Sequence, residues 1–243
     1  MRMLVTVTSL LWVLAACDGE DPVDASTGAD ARIDASADAF SARCSTGGAN
    51  LLACYDFEDT LADGSGNGLD LSGNGPMFVA GPRGQALLAR RDRNIGVQSD
   101  LLDFSGDFTV EALVMIEEAP AGPTYFLHRS GHFGISTNSL GELVCTVGTS
   151  DVVVGPTDSV EVGIWFHAAC TYSAGGVGGY IDGRSTGEVA APSLPDGSAA
   201  EFIAGGESNG DEDLRGAVDS VRIWTVALPR QSICDSANEF CTD

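Results

Sequence analysis

Short apolar segments separated by turn-forming residues are the feature that most constrains this chain. From Cys44 onward, brief runs rich in Val, Ile, Leu, Phe and Tyr alternate with stretches of Gly, Asn, Asp, Ser and Pro. This spacing predicts many short strands and an all-β, two-sheet antiparallel sandwich. Only Arg230–Phe240, opened by Pro229, is expected to be helical. The predicted strands are Leu51–Phe57, Pro76–Ala80, Gln85–Leu88, Asn94–Gln98, Phe108–Glu117, Thr124–Leu127, Phe133–Thr137, Leu143–Val147, Val152–Val154, Trp165–Tyr172, Gly178–Asp182, Phe202–Ala204 and Val218–Trp224.

The segment Trp165–Tyr172 shows what strand geometry implies for chemistry. It contains His167 and Cys170, which are the residue types of a nucleophilic pair. Side chains alternate along a strand, so a separation of three sends the imidazole and the sulfur to opposite faces. We therefore predict that both residues are structural.

The same segment carries a resemblance to a known family. Trp165–Tyr172 followed by Tyr180–Gly183 resembles the tryptophan, histidine, threonine-tyrosine and tyrosine-x-aspartate-glycine pattern of laminin G-like (LamG) jelly rolls, in the concanavalin A-like lectin/glucanase superfamily. Three flanking pieces agree in order: Phe108–Ala112, Phe202–Gly206 and Gly216–Trp224. The resemblance implies a jelly-roll domain at residues 44–243 that binds a glycan or a protein, and such domains often hold Ca²⁺.

Six cysteines follow Cys17, and an even number in an exported chain favours disulfides. The resemblance implies that Cys145 and Cys170 lie on side-by-side strands and form one bridge, worth about 3 kcal/mol in the chain-entropy model. The other four lie near the two ends of the domain. Cys44–Cys54 and Cys234–Cys241 are the favoured pairs, and bridges that join the two ends are the alternative.

The N-terminus has the pattern of an export signal. One Arg precedes an apolar run from Leu4 to Ala16, which is too short to span a bilayer and has the length of a signal-peptide core. Leu14–Cys17 resembles the bacterial lipobox, in which the cysteine carries the lipid. We predict a lipoprotein signal peptide at residues 1–16 with lipidation at Cys17; an ordinary signal peptide with a chance cysteine is the alternative.

Residues 17–43 are dominated by Ala, Asp, Ser, Gly and Thr, so they lack the apolar bulk that folding requires. They are predicted to be a disordered acidic linker that lifts the domain from a bacterial membrane, with the outer membrane or cell surface favoured. The formal charge is −23, and all 12 basic residues are Arg. This charge disfavours nucleic acid as a partner.

Asp63, Ser65 and Asn67 place oxygen-bearing side chains at alternate positions of a glycine-rich loop, which makes them candidate Ca²⁺ ligands. The acidic stretch at 207–213 is a second oxygen-rich loop. Turns that use Asp, Asn and Gly for their backbone preferences are the alternative interpretation.

Catalytic motifs are absent from the sequence. No Glu is followed two residues later by Asp, so the Glu-x-Asp-x-x-Glu pattern of glycosidases on this scaffold is missing, as is a GxSxG elbow. Trp165 and Trp224 are expected in the core, and His128 and His132 at the surface of a hairpin turn. We therefore expect a non-catalytic, membrane-tethered binding or adhesion module, with a carbohydrate-active enzyme as the alternative.

Overall fold

The computed structural model describes residue 44 and residues 48–91, 93–195, 197–207 and 212–241. Within these ranges, two antiparallel β-sheets pack face to face. The eight-stranded sheet contains β1 (Leu51–Tyr55), β3 (Phe78–Gly81), β4 (Gly84–Ala89), β6 (Phe108–Ile116), β11 (Trp165–Ser173), β12 (Gly176–Ile181), β13 (Arg184–Val189) and β15 (Gly216–Trp224). The seven-stranded sheet contains β2 (Ser72–Gly73), β5 (Ile95–Val97), β7 (Thr124–Arg129), β8 (Phe133–Thr137), β9 (Leu143–Val147), β10 (Ser150–Val153) and β14 (Phe202–Ala204).

Strand β15 is the centre of the eight-stranded sheet, whose order is β13-β12-β11-β6-β15-β4-β3. One edge of β15 pairs with β6. Along its other edge, Gly216–Val218 pairs with β4 and Val221–Trp224 pairs with β1. The register with β6 shifts between Asp219 and Arg222, near the point where the neighbour changes from β4 to β1.

The core lies between the two sheets and is formed by one face of each strand. In β11, Phe166, Ala168 and Cys170 belong to the core cluster, whereas the His167 side chain bonds to Glu111 on the opposite face. The predicted alternation of this strand is therefore confirmed. Aromatic rings from both sheets meet inside the core, because large apolar side chains fill a two-layer interior efficiently.

The helix α1 (Arg230–Ala237) and a following 3-10 turn (Asn238–Phe240) occupy the segment predicted to be helical. Pro229 is the residue before the helix rather than its first residue, since its backbone is extended. The prediction missed β2 and β13. β13 is an edge strand in which no residue is fully buried, so it lacks the apolar pattern on which the prediction rested. In the described residues, no helix has the length and apolarity needed to cross a bilayer.

Candidate functional site

A row of polar side chains crosses the outer face of the seven-stranded sheet. The register pairs His128 of β7 with Gly134, Gly134 with Thr146, and Thr146 with Asp151. Tyr125 lies on the same face as His128 because a bulge in β7 between Tyr125 and Leu127 inserts one extra residue. In a regular strand, residues three positions apart lie on opposite faces. The bulge therefore brings the Tyr125 and His128 side chains onto the same face.

The two rings stack, with centroids 4.1 Å apart and planes inclined by 24°. The Tyr125 hydroxyl donates to the Asp151 carboxylate, at 3.2 and 3.3 Å from its two oxygens. The Thr146 hydroxyl donates to the same carboxylate at 2.8 Å. Burial and the charge of Asp151 raise the pKa of Tyr125, so the phenol stays protonated and remains a donor.

His128 is neutral at physiological pH. Burial lowers the pKa of this imidazole to about 4, although the charge of Asp151 acts in the opposite direction. Its Nδ1 atom lies 3.7 Å from Oε2 of Glu207, and with a neutral ring this approach is not an ion pair at pH 7. The neutral imidazole therefore offers one donor and one acceptor to a ligand.

Gly134 lies at the centre of this row, where its neighbours approach closely. A Cβ atom at Gly134 would lie 3.1 Å from the His128 ring and 3.3 Å from the Thr146 hydroxyl, so a larger side chain would crowd both. A hollow of about 290 Å³ on this face is lined by Tyr125, His128, Ser130, Gly131, Thr146, Gly148, Thr149, Asp151 and Glu207. This volume is near the lower end of the range of small-ligand pockets. We call it the sheet hollow.

A second depression, of about 450 Å³, lies near the start of β7. It is lined by the loop from Glu118 to Thr124 together with Arg91, Glu212, Asp213 and Arg215. Thr124 directly precedes Tyr125, so the two depressions border the same strand.

The loop of Asp63, Ser65 and Asn67 does not fit a Ca²⁺ ion. The Asp63 carboxylate already accepts hydrogen bonds from the backbone N–H groups of Cys54, Ser65 and Leu69 and from the Ser65 hydroxyl, at 2.8–3.1 Å. The Asn67 amide group donates through its nitrogen to carbonyl oxygens of β1. Ca²⁺ needs oxygen atoms turned toward a common centre. These side chains instead pin the loop to β1, the role given by the alternative interpretation.

The cysteines of the described ranges form three disulfides, Cys44–Cys54, Cys145–Cys170 and Cys234–Cys241, which are the pairs that the sequence analysis favours. The sequence analysis expected Cys145 and Cys170 on side-by-side strands of one sheet, and this placement is wrong. Cys145 lies in β9 and Cys170 in β11, so these strands face each other across the core and the bridge joins the two sheets. The lipidation residue Cys17, the signal peptide and the linker lie outside the described residues, as do residues 208–211 of the acidic loop.

A buried ionic cluster around Glu111 was not predicted. Its carboxylate lies within hydrogen-bonding distance of His167 Nε2 (3.2 Å) and accepts from Arg222 (3.3 Å), Trp224 (3.1 Å) and Ser236 of α1 (2.9 Å). Burial alone would raise the pKa of Glu111, but these partners lower it to about 2. The cluster fastens α1 to the outer face of the eight-stranded sheet.

The remaining sequence candidates are structural or partly exposed. His132 is fully buried beside Phe104 and His128 is only 6% exposed, so the expected surface position is wrong for both. Arg129 is buried in an ion pair with Asp103 at 2.7 Å. Trp165 and Trp224 are half-buried rather than core residues. Sequence reasoning also missed Tyr125, Thr146 and Asp151, because these residues share a face only through cross-strand register and the β7 bulge.

Two antiparallel sheets with a polar hollow on one outer face define a lectin-like jelly-roll sandwich. The model of the Laminin_G_3 family, described as the concanavalin A-like lectin/glucanases superfamily, matches residues 90–234. The chain belongs to this family, as its sequence pattern implied. A comparison with curated proteins finds no match.

Solved structures with the same fold include both binding domains and enzymes. Domain 4 of AbnA, an extracellular GH43 arabinanase from Geobacillus stearothermophilus, was solved in complex with arabinotriose; it is 25% identical, with a TM-score of 0.63, over 78% of this chain and 98% of that one. The binding domain of Paraclostridial Mosquitocidal Protein 1 is 20% identical, with a TM-score of 0.66, over 79% of this chain and 52% of that one. The sialidase of Trypanosoma rangeli in complex with DANA is 18% identical, with a TM-score of 0.58, over 78% and 32%. The last two likenesses show the fold alone.

Proposed function

We propose that this protein is a non-catalytic glycan-binding module held on the outside of a bacterial cell membrane, and that the sheet hollow is its ligand site. The observation that carries the proposal is the stacked Tyr125–His128 pair beside the Asp151 carboxylate. Sugars are recognised by aromatic rings that contact C–H groups and by polar atoms that bond to hydroxyls, and both kinds of group line the hollow.

The charge of the hollow favours a neutral glycan. Asp151 and Glu207 contribute carboxylates, His128 is neutral at pH 7, and none of the described lining residues is Arg. A carboxylated or sulfated sugar would meet repulsion there. The similarity to an arabinanase domain solved with arabinotriose supports a neutral oligosaccharide as the ligand class.

The protonation states in the hollow support binding rather than catalysis. A tyrosine nucleophile would need a lowered pKa, whereas the pKa of Tyr125 is raised. A histidine base is most efficient when its pKa lies near the working pH, and the pKa of His128 is about 4. Asp151 accepts hydrogen bonds from Tyr125 and Thr146, an arrangement that orients a carboxylate for recognition.

The test is a glycan array followed by calorimetry with the full chain. We expect binding to neutral oligosaccharides, arabino-oligosaccharides among them, and a loss of at least tenfold in affinity for Asp151→Asn, since a hydrogen bond to a charged group contributes about 1.5–3 kcal/mol. Asp107→Asn removes the same charge from an exposed loop and should bind like the wild type. Release of shorter sugars would refute the non-catalytic role, and equal loss in both variants would refute the site.

Membrane attachment is supported by the sequence Leu14–Cys17 at the end of an apolar run. Palmitate should label the full chain, and Cys17→Ser should abolish the label. A label that persists in the variant would refute lipidation at this residue.

A further inference from the structure

The larger of the two depressions, near the start of β7, has no role in the ligand site proposed above. Its volume is about 450 Å³, which lies within the range of small-ligand pockets. Both sheets border it, since Thr124 is the first residue of β7 and Arg215 directly precedes β15. Its wall contains the loop from Glu118 to Thr124, in which Pro120 and Pro123 restrict the backbone. We call it the end depression.

The end depression and the sheet hollow have a common wall. Thr124 lines the end depression, and Tyr125, the next residue of β7, lines the hollow. The Tyr125 backbone N–H donates to the carbonyl of Glu212 at 2.9 Å, and the Asp213 carboxylate accepts from the backbone N–H of Glu207 at 2.9 Å. Glu212 and Asp213 line the end depression, whereas Glu207 lines the hollow. The two depressions therefore adjoin along this wall.

The lining of the end depression fits hydroxyl groups. The side chains of Arg91 and Arg215 offer only hydrogen-bond donors, and the carboxylates of Glu118, Glu212 and Asp213 offer only acceptors. A charged ligand of either sign would meet like charges among these groups. A sugar hydroxyl both donates and accepts, so it can bond to either kind of side chain. The mixture therefore fits a neutral polyhydroxyl ligand, the class already proposed for the hollow.

Arg215 is positioned to bond to such a ligand. Its Nη1 atom donates to the Glu118 carboxylate at 2.8 Å, and its carbonyl oxygen accepts from the backbone N–H of Glu117 at 2.7 Å. The guanidinium carries five N–H donors, so this ion pair leaves donors for a ligand. The Arg215 side chain is 53% exposed, and solvent or a ligand can therefore reach these donors.

On the basis of the function proposed for the hollow, we propose that the protein recognises a glycan chain of several sugar units, which occupies the sheet hollow and the end depression together. Thr124 and His128 are four residue steps apart on β7, a span of about 13 Å at about 3.3 Å per residue. One sugar ring does not cover this span. A short sugar therefore fills the hollow alone, and a longer chain also reaches Arg215.

The test is calorimetric titration of the full chain with arabinobiose, arabinotriose and arabinohexaose. We expect the affinity to rise with length, to about tenfold or more for arabinohexaose over arabinobiose, because the added units bond to charged groups. Arg215→Gln should lower the affinity for arabinohexaose about tenfold and leave that for arabinobiose unchanged. Asp151→Asn should lower both affinities. Arg230→Gln removes an exposed Arg from the start of α1 and is the matched control, which should bind like the wild type.

Equal affinities for the three sugars, or an equal loss for short and long sugars in Arg215→Gln, would overturn the extended site while the hollow stands. Exposed ion pairs contribute little to stability, so this variant should fold, and Arg91→Gln provides a second exposed change in the same depression. A wild type that binds none of the three sugars, or Asp151→Asn that binds all three normally, would instead overturn the proposed function and the extended site together.

Discussion

Protonation of His128 should make the fold lose stability in mild acid. Burial lowers the pKa of this imidazole from about 6.5 to about 4 in the folded state. Between these values the unfolded chain binds a proton that the folded chain does not, so the free energy of unfolding falls as the pH falls. The effect begins near pH 6.5 and is complete near pH 4.

The magnitude follows from the two pKa values. Linkage gives a loss of about 2.4 kcal/mol between pH 7 and pH 4.5 from this residue, with about 1.36 kcal/mol per pKa unit as the limiting slope. The ring faces Tyr125, which is neutral, and the carboxylates of Asp151 and Glu207; the charge of Asp151 raises the pKa of His128 and so limits the lowering that burial causes.

The assay is urea unfolding of the wild type and His128→Gln at pH 7, 5.5 and 4.5. Gln does not titrate, so the other ionisable groups contribute equally to both curves and the difference isolates His128. We expect the variant to gain about 2 kcal/mol relative to the wild type across this range. Parallel curves would refute the claim that the folded protein keeps this ring neutral.

Four further outcomes are expected. Replacing Cys145 and Cys170 with Ala should lower the free energy of unfolding by about 3 kcal/mol in a urea titration, because the bridge closes a long loop across the two sheets; an unchanged midpoint would contradict this. Glu111→Gln should cost about 3–5 kcal/mol, since it leaves the buried Arg222 guanidinium without its carboxylate partner, and should raise amide hydrogen exchange in α1. Exchange that is unchanged in α1 would show that the cluster does not fasten the helix. Gly134→Val should lower the glycan affinity, because a Cβ atom there would lie 3.1 Å from the His128 ring and 3.3 Å from the Thr146 hydroxyl and would displace both of these lining side chains; retained affinity would place the ligand elsewhere. Asp63→Asn should cost about 1–3 kcal/mol in the same urea assay through lost loop hydrogen bonds, and no loss would contradict the pinning role.

The face of the sheet on which a side chain lies can be predicted from the sequence wherever the strand is regular. In β11, alternation alone placed His167 and Cys170 on opposite faces, and the ladders on both sides of this strand have no bulge. The same rule fails in β7. There, alternation would put Tyr125 and His128 on opposite faces, and the bulge reverses this.

The sequence by itself determined most of the strand pattern and the family, because these depend on local periodicity, turn residues and the order of motifs. It favoured the disulfide pairs that form, but it left the pairing of the four terminal cysteines open and placed Cys145 and Cys170 on side-by-side strands, whereas their bridge joins the two sheets. Tertiary structure alone decided where chemistry can occur. The sheet hollow depends on register across four strands, and the Glu111 cluster depends on burial beneath a helix that is distant in the chain. Each of these sites is formed by residues that are far apart in the sequence. A local sequence pattern does not show which distant residues become neighbours in the fold.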